Sequence, residues 1–504
     1  MLSLATAWSV LSLAAAAATS GPSESTQKAC AELSAALPDR VTTKLAPDYI
    51  SEMGTYWSTT LRAAKPACMV LPRSAEDVAA AVSILSGGAY PDVGFAVKSG
   101  GHTPNRRHSS VADGVLISTR DLAGTTYDAE TGLAYVRPGG EWNDVIGALD
   151  EHGVAVVGGR LGNVGVGGYL LQGGISFLSA QYGLAADSII GWEIVTADGT
   201  IKNVDAAEDP ELAVALRGSG SQFGIVTQFT IKAYPITQVW GGTRIYAADK
   251  ADEIYAALHD FVPGNQDDQK AAIILTDNTS TGGNEFLLLF YCYAGPEPPK
   301  TGPFAKFLEI GALLDTTSTR SYAELLKANG QGSDLQARVS FRTFTIPYLK
   351  DRPQTYQEIS YHWRSLVTEH LNSLLRLTAQ CSIDFQPFPA VIGQHAQDRG
   401  GNAMGLTAHD PDRILLEIQC SWPSEADDAL FEDASRQLVA WLEGKLAEWA
   451  ADAGEEYYLP YLMNDAAADQ NVTGLYRDYA KFKALQKEMD PDGFFMNRGG
   501  GFTY

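Results

Sequence analysis

The chain has 504 residues, which is too long for one ordinary hydrophobic core, so two or more domains are expected. Hydrophobic residues make up 45% of the sequence, a proportion typical of globular proteins. The formal net charge is −23 at pH 7 and no basic run is present, which argues against binding to nucleic acid or to an anionic membrane surface.

The first 20 residues have the pattern of a secretory signal peptide. Residues Met1 to Ala18 are rich in Ala and Leu, contain no acidic side chain and end in small residues. The run is shorter than the about 20 apolar residues that a membrane span requires. A buried N-terminal helix is the alternative, but the polar Thr/Ser-rich segment that follows disfavours it. The sequence therefore predicts a protein of the secretory pathway and leaves its oligomeric state open.

Five cysteines follow this leader. Cys30 and Cys68 flank a polar segment, and we expect them to pair in an oxidising compartment, where such a loop contributes about 3–4 kcal/mol. Cys292, Cys381 and Cys420 lie in apolar contexts and are assigned to the core. The sequence contains no CxxC motif and no Cys/His cluster, so no metal site is predicted.

Two triplets match the acceptor pattern for N-glycosylation, and their asparagines are Asn278 and Asn471. Such triplets are common by chance, and they are relevant only if the chain enters the secretory pathway.

After an N-terminal segment at 21–60, the pattern predicts a strand at 66–72, a helix at 74–85 and a strand at 94–97. The second strand leads directly into Lys98-Ser99-Gly100-Gly101-His102. Because glycine has no Cβ, backbone N–H groups in such a turn can approach an anion such as pyrophosphate. His102 could be a nucleophile, a metal ligand or a proton carrier, or a turn residue bonded to a backbone carbonyl.

Short strands are predicted at 115–117 and 134–136, with a hairpin turn at 127–132, followed by an amphipathic helix at 142–152. Residues 158–174 form the most glycine-rich part of the chain and are expected to be neither regular helix nor strand. A backbone this permissive usually contacts a ligand.

A dinucleotide-binding Rossmann fingerprint is not present. That motif follows a strand, spaces its glycines GxGxxG and opens a helix, whereas Gly165, Gly167 and Gly168 lack this spacing. The later cluster at 218–224 follows a predicted helix at 210–216 and precedes a strand at 225–231, which is the inverse order. NAD binding is therefore disfavoured.

Residues 187–195 predict a strand, which an Asp-Gly turn joins to a second strand at 201–204. From 236 to 455, strands and helices alternate and glycine is less frequent, which predicts an α+β domain on an antiparallel sheet. The tail contains a helix at 473–489 and a glycine-rich end whose aromatic residues suggest packing rather than fraying.

Four motifs occur in a recognisable order: KSGGHTPN, GNVGVGGYLLQGG, LRGSGSQFGIV and DPDGFF followed by GGF. With them the chain resembles the secreted fungal FAD-linked oxidases of the vanillyl-alcohol oxidase superfamily. Berberine-bridge-type, hydroxynicotine and oligosaccharide oxidases belong to the same group. The resemblance covers nearly everything after the leader. It implies an α+β fold with a PCMH-type FAD-binding domain at 61–235, completed by 456–504, and a substrate domain at 236–455 over the isoalloxazine ring.

The resemblance also implies which residues bind FAD. Ser99, Gly100, Gly101 and His102 would form the pyrophosphate turn, with His102 bonded covalently to the ring methyl carbon of the flavin. A histidyl bond fixes the ring and raises its reduction potential. The other implied cofactor-binding residues are Gly165, Val166, Gly167 and Gly168 along the flavin, Gly224, Ile225 and Val226 toward the adenine end, and Asn464.

The sequence departs from the family pattern at two positions. Bicovalent relatives carry a second flavin-linked cysteine where this chain has Leu161, so a single covalent link is expected. Many relatives carry an Asn-Tyr pair whose tyrosine accepts the substrate's proton; aligning Asn464 with that Asn places Asp465 at the tyrosine.

Asp465 could itself be the base, because an apolar site raises the pKa of a carboxyl group. The alternative is that Asp465 only caps the turn before Ala466. Tyr458 and Tyr461 could act as the base instead, or could simply pack.

Two middle-domain segments, 386–389 and 400–406, resemble parts that face the flavin in relatives. With Tyr361 and Trp363 nearby in sequence, they favour an apolar or aromatic substrate over an oligosaccharide.

The expected activity is that of an FAD-dependent oxidase. A base would take a proton from O–H or N–H while hydride passes to the flavin, and O2 would be reduced to H2O2. A small alcohol, an amine or an activated C–H compound of fungal secondary metabolism is the expected substrate, without a nucleic-acid or membrane partner. The alternatives are a carbohydrate oxidase and a flavin-containing cyclase or ligand-binding protein without net redox turnover.

Overall fold

The computed structural model describes residues 21–331, 336–373, 376–453 and 457–504. The predicted signal peptide lies outside these residues. Three β-sheets, with helices against them, make up the described fold. Among the described residues, no helix is both long and apolar enough to span a membrane.

The first sheet contains four strands in the order β1-β2-β4-β3. β2 and β3 both pair parallel with β4, whereas β1 is antiparallel to β2. The strands are β1 (Val41–Thr43), β2 (Cys68–Val70), β3 (Phe95–Lys98) and β4 (Val115–Ser118). The helices in this part are α1 (Glu24–Ala36), α2 (Pro47–Gly54), α3 (Thr59–Arg62) and α4 (Ala75–Ser86).

The second sheet contains five antiparallel strands in the order β5-β6-β9-β7-β8. The strands are β5 (Thr125–Asp128), β6 (Leu133–Val136), β7 (Ile189–Val195), β8 (Ile201–Asp205) and β9 (Ile225–Lys232). The helices are α5 (Trp142–Asp150), α6 (Val166–Leu171), α7 (Ser179–Tyr182) and α8 (Pro210–Leu216).

The third sheet is antiparallel and has eight strands, seven in the order β13-β10-β12-β11-β16-β17-β15, with β14 also pairing with β10. The strands are β10 (Gln238–Ala247), β11 (Ala271–Ser280), β12 (Asn284–Tyr293), β13 (Leu314–Asp315), β14 (Ser318–Ser321), β15 (Arg338–Pro347), β16 (Gln380–Phe388) and β17 (Arg413–Trp422). The helices that follow are α9 (Ala251–Asp267), α10 (Ala305–Glu309), α11 (Tyr322–Gly330), α12 (Thr355–Leu371), α13 (Val391–Asp398), α14 (Asp428–Ala453) and α15 (Tyr479–Met489).

Two local predictions were wrong. The hairpin arm that pairs with β6 is β5, whereas the apolar strand predicted at 115–117 lies in the first sheet, between two parallel neighbours. The glycine-rich region also contains a helix, α6, because burial of Val166, Leu170 and Leu171 in the core compensates for the low helix propensity of its glycines.

The glycine-rich C-terminus packs against the protein, as predicted. Phe502 and Tyr504 are buried in the same core as the second sheet. The hydroxyl oxygens of Tyr504 and Ser219 lie 2.5 Å apart, which ties the end of the chain to the loop before β9.

Cys30 and Cys68 form a disulfide that joins α1 to β2, which confirms their predicted pairing. Cys381 and Cys420 are buried as expected but form a second disulfide, between paired strands β16 and β17. Cys292 is buried and free.

Replacing both Cys30 and Cys68 by alanine is expected to lower the free energy of unfolding by about 4 kcal/mol, because the open chain gains conformational entropy. Urea unfolding followed by tryptophan fluorescence measures this loss. Each single variant should lose about as much as the double variant, since either one breaks the bond. Additive losses from the two single variants would contradict the assignment.

The structure contradicts one of the two glycosylation predictions. Asn278 lies within β11, in the middle of the third sheet, and is only 9% exposed, so a folded chain has no room for a glycan there. Asn471 is exposed and remains a predicted acceptor.

Candidate active site

A cavity of about 490 Å³ lies where the glycine-rich segments face the third sheet. One wall consists of residues from the turn after β3 and from the segment that includes α6. Residues of the loop before β9 and of the C-terminal glycines extend this wall. The opposite wall consists of side chains from β11, β12, β15, β16 and β17.

A buried ion pair stabilises the turn after β3. Lys98 Nζ lies 2.5 Å from Glu52 Oε1 and donates to Thr55 Oγ1 at 2.9 Å. Both charged side chains are 2% exposed, so the pair is shielded from solvent. Gly101 has φ +69°, a conformation that favours glycine, and a Cβ there would lie 2.6 Å from Lys98 Cε.

Ser99 and Gly100 join this turn to α6. Ser99 Oγ donates to Pro138 O at 2.6 Å and accepts from the Gly167 N–H at 3.1 Å. A Cβ on Gly165 would lie 2.3 Å from Gly100 N, so the two backbones are in direct contact. The two glycine-rich segments therefore form one continuous surface.

Substitution of Gly165 by alanine is expected to cost about 2 kcal/mol of stability, because the backbone of Gly100 cannot yield easily. The fraction of the protein that binds FAD should fall together with the stability. Gly147→Ala is the matched control, since a Cβ at this α5 position meets nothing within 4 Å. It should stabilise the helix by about 0.5–1 kcal/mol. Thermal unfolding and the ratio of flavin to protein absorbance measure both effects, and equal behaviour of the two variants would contradict the proposed contact.

His102 lines the cavity and is half-buried. Its ring stacks on Trp57 with the ring centroids 4.3 Å apart and the planes 10° from parallel, which fixes the orientation of the imidazole. In the described part of the chain, no group of three or more His, Cys, Asp or Glu residues is placed to hold a metal ion.

The cavity brings together most of the residues predicted to bind the cofactor. The members that line it are Ser99, Gly100, Gly101, His102, Gly165, Gly167, Gly168, Gly224, Ile225, Val226 and Asn464. Val166 does not line the cavity: its side chain is fully buried in the core and its N–H donates to Gly140 O at 3.0 Å. Leu161, where bicovalent relatives carry cysteine, also lines the cavity.

The residues present fit a bound FAD. A Cβ at Gly168 would meet nothing within 4 Å, so the cavity surface there is open backbone. Two buried polar atoms in the wall, His108 Nδ1 and Ser109 Oγ, have no hydrogen-bond partner among the described residues. Burial lowers the pKa of His108 to about 4, so its ring is neutral at pH 7 and adds no positive charge to the wall.

Asn464 and Asp465 reach the cavity on one turn of 3₁₀-helix at 463–465. Asn464 Oδ1 accepts from the Gly174 N–H at 2.9 Å, and its Nδ2 donates to Tyr169 O at 3.1 Å. These two bonds fix the turn against α6 and the loop that follows it.

Asp465 is 7% exposed and accepts one hydrogen bond, from Gln386 Nε2 at 3.2 Å. Arg160 in turn donates to Gln386 Oε1, which forms a chain of three side chains. Burial raises the pKa of Asp465, while Arg160 and the Gln386 bond oppose the rise. Asp465 is therefore a buried carboxyl group that can exchange a proton with a molecule in the cavity.

Tyr458 and Tyr461 do not line the cavity, which disfavours either of them as the base. The Tyr458 hydroxyl donates to Met404 O and accepts from the Arg477 N–H. Tyr461 packs beside Phe344. Burial raises the pKa of each phenol to about 12, consistent with structural roles.

The predicted apolar substrate wall was also wrong. Neither 386–389 nor 400–406 lines this cavity, Trp363 is buried in another core, and Tyr361 is 50% exposed. The third sheet supplies the wall instead, and most of its cavity-lining residues are polar: Thr276, Asn278, Gln380, Ser382, Asp384, Glu417 and Gln419, with Ile274, Leu288, Phe290 and Phe341.

Asp384 and Glu417 are site residues that the sequence reasoning missed. Each lies between apolar neighbours in a predominantly buried strand, and a lone carboxylate in such a strand is the signal that could have identified them. Burial raises the pKa of Asp384 to about 7 and that of Glu417 well above its usual range. The charge of Asp465 also raises both pKa values, and the charge of Arg160 lowers both.

The chain is similar to known FAD-binding proteins. Residues 66–205 match the family model described as FAD binding domain. An uncharacterised FAD-linked oxidoreductase of Arthroderma benhamiae is 36% identical over 465 residues, 90% of each chain. An FAD-dependent monooxygenase of Aspergillus calidoustus is 31% identical over 492 residues, covering 95% of this chain and 90% of that protein.

A solved structure of berberine bridge enzyme, in a variant form with one cysteine replaced by alanine, has the same fold. It superposes with a TM-score of 0.72 at 17% identity, over 94% of this chain and 100% of that one. The two-domain α+β architecture expected from the resemblance is therefore confirmed. The relatives of 30% identity or more show that the chain belongs to the FAD-linked oxidoreductases.

Proposed function

We propose that this FAD-linked oxidoreductase is an oxidase that transfers hydride from a small organic molecule to a flavin covalently held by His102 alone, with O2 as the final acceptor. His102 and Asp465 line the same cavity, and this observation carries the proposal. Glycine-rich backbone forms one wall of that cavity and the third sheet forms the other. Leu161 in place of a cysteine supports the single link.

Bound FAD would supply a two-electron acceptor for hydride. Asp465, as its carboxylate, takes the proton from the O–H or N–H group whose bond to carbon becomes a double bond. The Arg160–Gln386 chain holds the carboxylate in place and favours its charged form. For a secondary alcohol, the balanced reaction converts one alcohol and one O2 into one ketone and one H2O2.

Anaerobic mixing with a panel of alcohols and amines tests this proposal. Bleaching of the visible flavin band by a substrate, followed by one equivalent of H2O2 when oxygen is admitted, is the expected result. Incorporation of labelled oxygen into the product would instead indicate a monooxygenase, the activity in the name of the Aspergillus relative. A changed product with an unbleached flavin would indicate a cyclase without net redox turnover.

A carbohydrate oxidase is the second candidate. The polar wall of the third sheet favours it, because amide and hydroxyl side chains such as Gln380, Ser382 and Gln419 suit a hydroxyl-rich substrate. Peroxide formation from free mono- and oligosaccharides would identify this activity, and its absence with active alcohols or amines would exclude it.

We also propose that 61–235 and 456–504 form the cofactor domain and 236–455 the substrate domain. The third sheet at 238–422 contains no strand of the first two sheets, and Phe502 packs in the core of the second sheet.

The two disulfides support passage through a secretory compartment, where we expect glycosylation at Asn471. Glycosidase treatment of secreted protein, compared with an Asn471→Gln variant, tests both points.

A further inference from the structure

We propose that the cavity wall formed by β16 and β17 is a subsite for an organic cation, with the substrate's ammonium group bound between Asp384 and Glu417. This inference rests on the proposed function, because it names the substrate class of the same cavity. The proposal concerns substrate binding. It applies both to a substrate whose C–N bond is oxidised and to one whose ammonium group only binds.

The register of the third sheet places the two carboxyl groups side by side. Asp384 on β16 is the direct cross-strand partner of Glu417 on β17, so both side chains project from the same face. Both residues line the cavity. Thr276 lies opposite Asp384 on β11 and also faces the cavity. The pair is therefore held by three adjacent, hydrogen-bonded strands rather than by loops.

Unsatisfied acceptors on this face point to a ligand that donates hydrogen bonds. Asn278 is 9% exposed and lines the cavity, and its Oδ1 has no hydrogen-bond partner among the described residues. Asp384 Oδ1 also has no hydrogen-bond partner in the described part of the chain, and Asp384 lines the cavity. A buried acceptor without a donor is energetically unfavourable, and an N–H donor from the ligand would remove that penalty.

The charges around the subsite favour a cation. Arg160 is the single Lys or Arg side chain among the described cavity-lining residues, and it already donates to Gln386. Three carboxyl groups face the same space: Asp384, Glu417 and Asp465.

Among the described residues, a cation on the other face of the sheet is already paired with another carboxylate. Asp277, the neighbour of Thr276 on that face, is paired with Arg364 at 2.6 Å. With no ligand bound, burial favours the protonated forms of Asp384 and Glu417, since it raises the pKa of both. An ammonium group would replace those protons and supply up to three donors.

The test compares two probes of nearly equal shape, benzylammonium and benzyl alcohol, by anaerobic titration calorimetry of the flavin-loaded enzyme at neutral pH. We expect benzylammonium to bind at least about tenfold more tightly, because only it can pair with the carboxylates. Repeating the titration in buffers of different ionisation enthalpy should show proton release with benzylammonium only.

Asp384→Asn and Glu417→Gln should each weaken benzylammonium binding by about tenfold and leave benzyl alcohol unchanged. Glu369→Gln, at an exposed position on α12, is the control and should bind both probes as the wild type does. Equal or tighter binding of benzyl alcohol by the wild-type, flavin-loaded enzyme overturns the cation subsite and leaves the proposed oxidase intact. A purified protein without flavin absorbance overturns the oxidase itself.

Discussion

The Asp465→Asn variant is expected to reduce its flavin about 10²–10⁴-fold more slowly than the wild type under anaerobic single-turnover conditions, the range typical for loss of a general base. Asparagine has nearly the same shape and can keep the contact with Gln386, but it cannot accept the substrate's proton. Stopped-flow spectroscopy of the flavin band measures the rate constant directly.

The pH dependence follows from the same carboxyl group. The base is active when it is ionised, and burial raises the pKa of Asp465 above its usual value. The rate of flavin reduction in the wild type should therefore rise with pH until this raised pKa is passed, and then level. In Asp465→Asn that rise should disappear.

A matched comparison separates catalysis from binding. Asp384→Asn should raise the substrate concentration for half-maximal reduction while largely retaining the limiting rate, because Asp384 is proposed to bind substrate. Asp465→Asn should lower the limiting rate. A normal limiting rate in Asp465→Asn would show that another group, such as Glu417, takes the proton.

The His102→Ala variant is expected to lose essentially all of its flavin to the supernatant on acid precipitation, whereas the wild type should retain it in the pellet. The flavin that remains bound in the native variant should have a lower reduction potential, because the electronic effect of the histidyl bond is lost. Each loss of about 30 mV makes two-electron reduction about tenfold less favourable. A redox titration against a reference dye measures the shift.

His409→Ala is the control for this substitution, since His409 is exposed and does not line the cavity. Its flavin should stay with the pellet at the wild-type potential. Retention of flavin in the pellet by His102→Ala would place the covalent link at a different residue.

Local sequence patterns predicted much of the fold. Helix α8 has the predicted bounds, and the strands predicted at 66–72 and 94–97 lie within one or two residues of β2 and β3. β16 was not predicted as a strand, because Asp384, Gln386 and Pro387 interrupt its apolar pattern. The interruption at Asp384 arises because alternate side chains of this strand, those of Gln380, Ser382 and Asp384, face the cavity rather than the core.

The cofactor wall was more predictable than the substrate wall. Glycine-rich turns such as Ser99–Gly101 have a local signature, because a backbone that approaches a ligand closely needs residues without a Cβ. The substrate wall depends on cross-strand register, which brings Asp384 and Glu417 together although they are far apart in the chain. The contact of Asp465 with Gln386, and through it with Arg160, likewise joins three distant segments. Sequence alone carries no local signal for such pairings.

Mapping the flavin in a tryptic digest of the acid-denatured wild-type protein tests the central claim most directly. Cleavage after Lys98 and Arg106 releases the peptide 99–106, which contains His102. We predict that flavin fluorescence travels with this single peptide, and that its mass exceeds that of the bare peptide by one covalently attached flavin. Flavin recovered only in free form, or on any other peptide, would contradict the account.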